Sequence, residues 1–276
     1  MKSRKRRWSL AIRYILLLLG GAVSVMPMIY MLSTSLRPNG ALYEFPPHFF
    51  PKLSEITLEN YRYIFAQEKF YLNFLNSVIV ALVTIVLAAI IATALAYCLA
   101  RFEFPGKKLL FALVIGMMII PGTTLIIPQF QLASFFGITN SLAGLIPFYV
   151  AWVIPFSTFM IKSYIEGIPR EFDEAADVDG CTGWKKFWYI TLPSIRPTIL
   201  FALVMLTIGG FNVFTSIKMI TDGKPMHQTD TVLTWMYYKA FSTGEFGYAA
   251  ALSFIVAVTL MVLAFLQFRA MKRQNG

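Results

Sequence analysis

Charge is what this chain has least of. Only 14% of its 276 residues are Asp, Glu, Lys or Arg, against roughly 25% in soluble domains. At 57% hydrophobic residues, a soluble fold of this length could not cover its own surface with polar groups. Cysteine is nearly absent too. Cys98 and Cys181 stand alone and fit a reducing compartment rather than a disulfide framework. Histidine occurs at 48 and 227, in each case away from Cys and from paired carboxylates. That leaves a metal site without support and reads both as solvated loop residues. No G-x-x-x-x-G-K-[ST] phosphate cradle occurs. Gly106-Lys107 and Gly223-Lys224 lack both the upstream Gly and the following Ser/Thr, so this chain is not expected to bind ATP.

What is present is a set of long charge-free runs. No charged residue lies between Arg13 and Arg37, Lys69 and Arg101, Lys108 and Lys162, Arg196 and Lys218, or Glu245 and Arg269. A membrane helix needs about 20 apolar residues. The 53-residue run after Lys108 is too long for one helix and is broken near Gly137–Ser141. The expectation is an all-α membrane protein of six helices, near 14–34, 73–99, 108–132, 141–162, 198–217 and 247–268. A secretory signal is the competing reading of the N-terminus. The apolar run from Tyr14 to Leu32 has 19 residues, longer than a signal core of roughly 7–15, and it reads as a retained helix.

Lys and Arg give the orientation. With the N-terminus inside, the inner segments hold 17 of the 24 basic residues and the outer ones 7. Cytoplasmic loops carry the basic excess, so both termini are expected in the cytoplasm. The +10 net charge then belongs to segments beside anionic membrane lipid, and no nucleic-acid partner is expected.

Residues 162–197 form the one long inner loop, with six acids and five bases. Pro169 and the acids from Glu171 to Glu174 suit a helix start, and Gly180 suits its stop. A second short helix is expected from Thr182 to Thr191. There Trp184, Phe187 and Trp188 share a face by their i, i+3, i+4 spacing. Pro193 is expected to end it and Pro197 to open the fifth span. The product is a rigid helix–turn–helix knob. Pro121, Pro128, Pro147 and Pro155 fall in or beside the third and fourth spans. Each frees a backbone carbonyl that protein or a water-filled path must satisfy, which marks a bent, pathway-lining region. Ala88, Ala89, Ala92, Ala94 and Ala96 allow close helix approach in the second span.

This loop resembles the EAA motif of binding-protein-dependent ATP-binding-cassette importer permeases. The matching residues are Glu174-Ala175-Ala176, Asp179-Gly180, Phe187, Ile190, Leu192-Pro193 and Pro197, with Cys181 standing where the family usually has Ala. Thr34–Pro38, Phe45–Pro51, Asn60-Tyr61, Asn76-Ser77, Ala96-Tyr97, Arg101-Phe102 and Gly247–Ser253 are similar to the carbohydrate-uptake branch, the maltose-type inner-membrane permeases. The tail at Lys272–Gly276 departs from the Gly-containing extension of that type and withdraws support for a tail contact with the ATPase.

The resemblance implies a type I importer permease fold. Residues 1–34 would be a tail and first span, 35–72 an extracytoplasmic segment, 73–268 the transmembrane domain with coupling loop 163–197, and 269–276 a tail. It implies a second permease subunit, an ATPase dimer that binds the ATP and Mg, and an extracytoplasmic solute-binding protein. No catalytic residue, cofactor or metal is implied for this chain, which is not expected to be an enzyme. Glu174, Ala175, Ala176, Asp179, Gly180, Phe187 and Pro193 would couple it to the ATPase. Gln129, Gln131, Tyr149, Trp152 and Asn212 are candidates for the substrate path, because amides and aromatic rings suit sugar hydroxyls and rings. Two alternatives remain. An ion-coupled secondary transporter needs intramembrane carboxylates or histidines, and the six spans hold none. A permease for another solute is the second; an anion would call for a cation in the spans, and none is there.

Overall fold

A computed structural model describes residues 2–40, 48–66, 70–211 and 213–272, with side chains from residue 10 onward except at 11, 271 and 272. The described residues form helices α1 (Lys2–Ser35), α2 (Glu59–Ala66), α3 (Phe70–Arg101), α4 (Lys107–Gly116), α5 (Ile126–Phe135), α6 (Leu142–Glu166), α7 (Glu171–Val178), α8 (Gly183–Lys186), α9 (Leu192–Phe211), α10 (Thr215–Ile220), α11 (Val232–Tyr237) and α12 (Phe246–Lys272), and no strand among them. Among the described residues, five segments are long and apolar enough to cross a membrane: Ile12–Ser35, Phe70–Arg101, Leu142–Glu166, Gly183–Phe211 and Phe246–Ala270. A sixth exists only if Lys107–Ile119 and Gly122–Phe135, bent by 96° to each other, are counted as one.

That bend corrects the expected continuous helix over 108–132. Ile120 and Pro121 are extended, with ψ of 121° and 128°. The proline ring pushes the residue before it out of the helical region. The other three prolines do not break their helices. Pro128 sits in the first turn of α5, where its missing N–H costs nothing. Pro147 and Pro155 lie inside an unbroken α6.

The fifth span is corrected at both ends. Pro193 does not stop the preceding helix and Pro197 does not open a new one. Instead α8 runs through a π turn at Phe187–Thr191 into α9. In that turn the Leu192 N–H donates five residues back, to the Phe187 carbonyl. The widened ladder leaves a neighbouring carbonyl without a donor, so a proline that has no N–H fits directly after it. The Ser194 hydroxyl donates to the Ile190 carbonyl at 2.7 Å. At the far end the helix stops at Phe211 rather than 217, just past Gly209-Gly210, a pair with low helix propensity.

Two compact units can be distinguished. The first comprises residues 1–70 and 236–259. In it, sequence-distant motifs converge. The Asn60 amide donates to the carbonyls of Ser35 and Arg37 at 2.9 and 2.7 Å. The Tyr61 and Ser35 hydroxyls are 2.7 Å apart, Arg37 Nη2 donates to the His48 carbonyl at 2.6 Å, and the Tyr248 N–H donates to Asn39 Oδ1 at 2.9 Å. A Cβ on Gly247 would lie 2.6 Å from the Arg37 carbonyl, so only glycine allows α12 to start there. Asn60→Ala strands two buried carbonyls. It should lower the stability of the detergent-solubilised chain by about 1–3 kcal/mol, read as an earlier thermal unfolding midpoint than wild type.

The second unit comprises residues 71–235 and 260–276. Its centre is an alanine seam. Ala88, Ala92, Ala96 and Ala100 are buried on one face of α3, at four-residue spacing, while Ala94 is exposed and Ala89 half-buried. Ala92, Ala96 and Ala100 pack with Ile161 and Ile165 of α6 and Ile195 of α9. A Cβ on Gly210 would fall 2.8 Å from that of Ala81, so α9 and α3 also meet closely at the other end. His227 is exposed, as expected of a loop histidine, but it has neighbours. Its Nδ1 lies 2.6 Å from Oδ2 of the buried Asp230, and its ring meets Trp235 edge-on at 5.3 Å. His48 is exposed. Among the described residues no group of His, Cys, Asp or Glu is arranged to hold a metal.

Candidate coupling knob and translocation cavity

The knob follows from its sequence almost turn by turn. Glu171, Asp173 and Glu174 occupy the first turn of α7, where carboxylates meet the positive end of the helix dipole. Gly180 has φ +71°. Its N–H donates to the Asp177 carbonyl at 3.0 Å, and the Cys181 N–H donates to the Ala176 carbonyl at 2.8 Å. These two bonds make a Schellman cap, which wants glycine at that left-handed position. Among the described residues no atom lies within 4 Å of where a Gly180 Cβ would stand, so the demand is conformational and not steric.

The knob is tied to the transmembrane helices at three points. Arg101, the last residue of α3, places Nε 3.0 Å from Asp173 Oδ2 of α7; the two side chains are 9% and 18% exposed. Arg101 Nη2 also donates to the Ile168 carbonyl at 3.3 Å. The Tyr97 ring meets Phe187 edge-on at 5.1 Å. Lys186 Nζ lies 2.5 Å from Asp177 Oδ1 and joins the two limbs of the knob. In the adjoining turn, a hydrogen bond from Lys107 holds the Glu103 carboxyl below its ordinary pKa.

The expected coupling residues divide by orientation. Ala176 is buried and Phe187 half-buried, so they anchor the knob. Glu174, Ala175, Asp179, Gly180 and Pro193 are exposed. So are the large apolar side chains Phe172, Val178, Trp184 and Tyr189, an uncommon grouping on a polar loop and one that fits a docking surface. Trp184 stacks on Phe187 at 6.1 Å and meets Trp188 at 5.7 Å, as their spacing requires. Sequence reading missed Arg101 and Asp173 as partners. Arg101 only marks the end of a charge-free run, and Asp173 is one acid among several, so nothing in the sequence pairs them.

The second site is a cavity of about 480 Å³, walled by α3, α5, α6, α9, α10 and the turn at Gly122–Leu125. Gln129, Tyr149 and Trp152 all line it. Gln131 does not. It is exposed, because two residues along a helix turn a side chain to nearly the opposite face. Asn212 lies outside the described residues. Thr84, Thr123, Thr215 and Ser216 are further polar lining residues, and no charged side chain is among those described. A Cβ on Gly122 would lie 2.8 Å from Trp152 Cη2. The break at Pro121 thus brings bare backbone against the indole. Gln129, Phe148 and Trp152 also face a neighbouring cavity of about 230 Å³, so they form a wall between two spaces.

Residues 85–274 match the family model described as "Binding-protein-dependent transport system inner membrane component". The chain is similar to the diacetylchitobiose uptake system permease protein NgcG of Streptomyces coelicolor, with 31% identity over 264 residues, covering 95% of this chain and 84% of that one. It is 29% identical to the trehalose transport system permease protein SugB of Mycobacterium tuberculosis over 189 residues, 68% of each chain. In fold it is similar to a subunit of a bacterial ABC transporter involved in the import of the acidic polysaccharide alginate, with a TM-score of 0.77 over 98% of this chain and 97% of that one at 16% identity.

Proposed function

The chain belongs to the family of binding-protein-dependent transport system inner membrane components, and on that premise we propose that it is the sugar-path permease subunit of an ATP-binding-cassette importer. It pairs with a second permease. An ATPase dimer, which binds and hydrolyses the ATP with its Mg, docks beneath, and a solute-binding protein delivers a sugar or oligosaccharide from outside. The chain itself is no enzyme. The exposed apolar side chains of α1, α9 and α12 face lipid or the partner permease.

The observation that carries this reading is the knob. Its Schellman turn fixes the angle between α7 and α8, and Arg101–Asp173 and Tyr97–Phe187 bind it to α3. A push on Glu174, Asp179 and the exposed apolar residues moves the helices behind it as a body. Gln129, Tyr149, Trp152 and Asn212 are assigned to the path, and the 480 Å³ cavity supports the first three. The experiment is co-purification of the ATPase with the chain, together with sugar uptake into vesicles. Glu174→Lys reverses a charge at the contact. It should lower ATPase recovery severalfold with insertion unchanged, and full recovery would count against the docking face.

The 17-to-7 division of basic residues supports cytoplasmic termini. Single cysteines at 104 and 180 in a cysteine-free background should react with a membrane-impermeant maleimide only after the cells are opened. A cysteine at 222 should react in intact cells. Labelling of residue 180 from outside would remove the coupling role along with the orientation.

A further inference from the structure

We propose that the turn between α3 and α4, together with the entry to α7, binds the headgroup of one anionic phospholipid, which splints the knob to the membrane helices.

The site is assembled from segments far apart in the chain. Lys107 and Lys108 open α4, just past that turn. Arg170 stands directly before α7. Arg101, at the end of α3, brackets it: Nη2 donates to the Ile168 carbonyl at 3.3 Å, and Nε lies 3.0 Å from Asp173 Oδ2. The chain through Arg170 is thereby held at the mouth of the α3–α4 turn. Glu103 lies in that turn, with Oε1 2.9 Å from Lys107 Nζ. Arg170 and Lys108 are both close enough to add to the effect of Lys107 in lowering the Glu103 pKa. Lys107 takes the direct contact, and Lys108 and Arg170 are exposed. Three cations thus gather about one carboxylate. Two of the acids that flank Arg170 in the chain are already engaged, Glu166 by Lys162 at 2.6 Å and Asp173 by Arg101.

The surface beside these cations is apolar. Phe102 and Phe104 of the turn are exposed, and so are Leu109 and Leu113 of α4. The two leucines share one face by their i, i+4 spacing. Leu113 lies about 9 Å along the helix from Lys107, within the apolar Lys107–Ile119 segment. Cations, then aromatic rings, then leucines follow the order of a phospholipid's own parts, from headgroup to acyl chain. A free anion would engage the cations and leave the leucines untouched. An uncharged lipid would do the reverse. The phosphate of an anionic lipid would join Lys108 of α4 to Arg170 at the root of α7, a tie separate from Arg101–Asp173. This goes beyond a general basic excess near a membrane, because cations from two distant segments close on one point.

The test uses the full chain, purified in detergent, with phosphatidylglycerol, phosphatidylcholine and inorganic phosphate as probes. Native mass spectrometry reads the lipid retained. Lys108→Gln combined with Arg170→Gln leaves the Lys107–Glu103 contact in place. It should weaken phosphatidylglycerol binding about tenfold with an unchanged thermal unfolding midpoint. Lys108→Arg with Arg170→Lys keeps both charges and should bind as wild type does. Phosphatidylcholine should bind all three proteins alike, and inorganic phosphate should not displace phosphatidylglycerol. Hydrogen exchange of the α7 amides should slow severalfold with phosphatidylglycerol in wild type, and not in the Gln pair. Equal phosphatidylglycerol binding by wild type and the Gln pair would overturn the site. Displacement by phosphate would overturn the lipid as its ligand, and binding without slower exchange would overturn the splint. No sugar enters the test, so its outcome is separate from that of the permease reading.

Discussion

Replacing Gly180 by Val or Pro should abolish solute-stimulated ATP hydrolysis and sugar uptake while the chain still inserts in the membrane. Gly180 holds φ +71°. A β-branched residue there pays roughly 1–2 kcal/mol in backbone strain, and no described atom lies within 4 Å of its Cβ position to add to it. Proline does more. Its ring fixes φ near −65°, and it removes the N–H that donates to the Asp177 carbonyl. In both cases the cheapest response is to unwind the Schellman turn, which swings α8 away from α7. The membrane helices do not depend on that turn, so membrane levels should match wild type. Gly180→Asn is the control, since asparagine tolerates the left-handed conformation better than other side-chain-bearing residues, and it should retain substantial uptake. The measurements are ATPase activity with and without loaded binding protein, and uptake into vesicles. Full activity in Gly180→Pro would reduce the loop to a solvated connector.

Arg101→Glu should have the second large effect, and by a different route. Surface ion pairs contribute roughly 0–1 kcal/mol. The Arg101–Asp173 pair is mostly shielded, with side chains 9% and 18% exposed. Removing one partner of a shielded pair costs up to about 3–5 kcal/mol, because the other charge is left buried and uncompensated. Glutamate adds repulsion from Asp173 and loses the donor to the Ile168 carbonyl. The knob should detach from the end of α3 while its own Schellman turn survives. The expected result is ATP hydrolysis that proceeds without matching transport, with uptake per ATP reduced at least tenfold. Asp173→Arg alone should behave similarly. The double variant Arg101→Asp with Asp173→Arg restores opposite charges and should recover a large part of the uptake. If the exchange recovers nothing, the pair matters through packing and not through its charge.

Tyr97 allows a milder version of the same experiment. Its ring contacts both Phe102 and Phe187 edge-on, at 5.8 and 5.1 Å. Tyr97→Ala removes a contact worth about 0.5–1.5 kcal/mol beyond its buried area. It should lower coupling partially and add to the Arg101 effect less than independently, because both act on the same joint.

The sequence by itself determined the class of this protein and the first helix and turn of its knob. Charge-free runs long enough to cross a bilayer admit few structures other than membrane helices, since each span must satisfy its own backbone. Local chemistry specified the turn at Gly180, because a Schellman cap depends on a few consecutive residues and on glycine's access to positive φ. The shared face of Trp184, Phe187 and Trp188 was equally legible, being set by helical spacing alone. Tertiary structure decided what depends on residues far apart. Four prolines read alike in the sequence, but only Pro121 breaks a helix. Pro147 and Pro155 stay inside α6, and Pro193 fits behind a π turn that no spacing rule announces. Arg101 of α3 pairs with Asp173 of α7, with α4, α5 and α6 between them in the chain. Gln129 and Gln131 looked equivalent until the helix of α5 turned one into the cavity and the other away from it. Which face of α5 meets the cavity depends on the helices packed around it, and only tertiary packing supplies that.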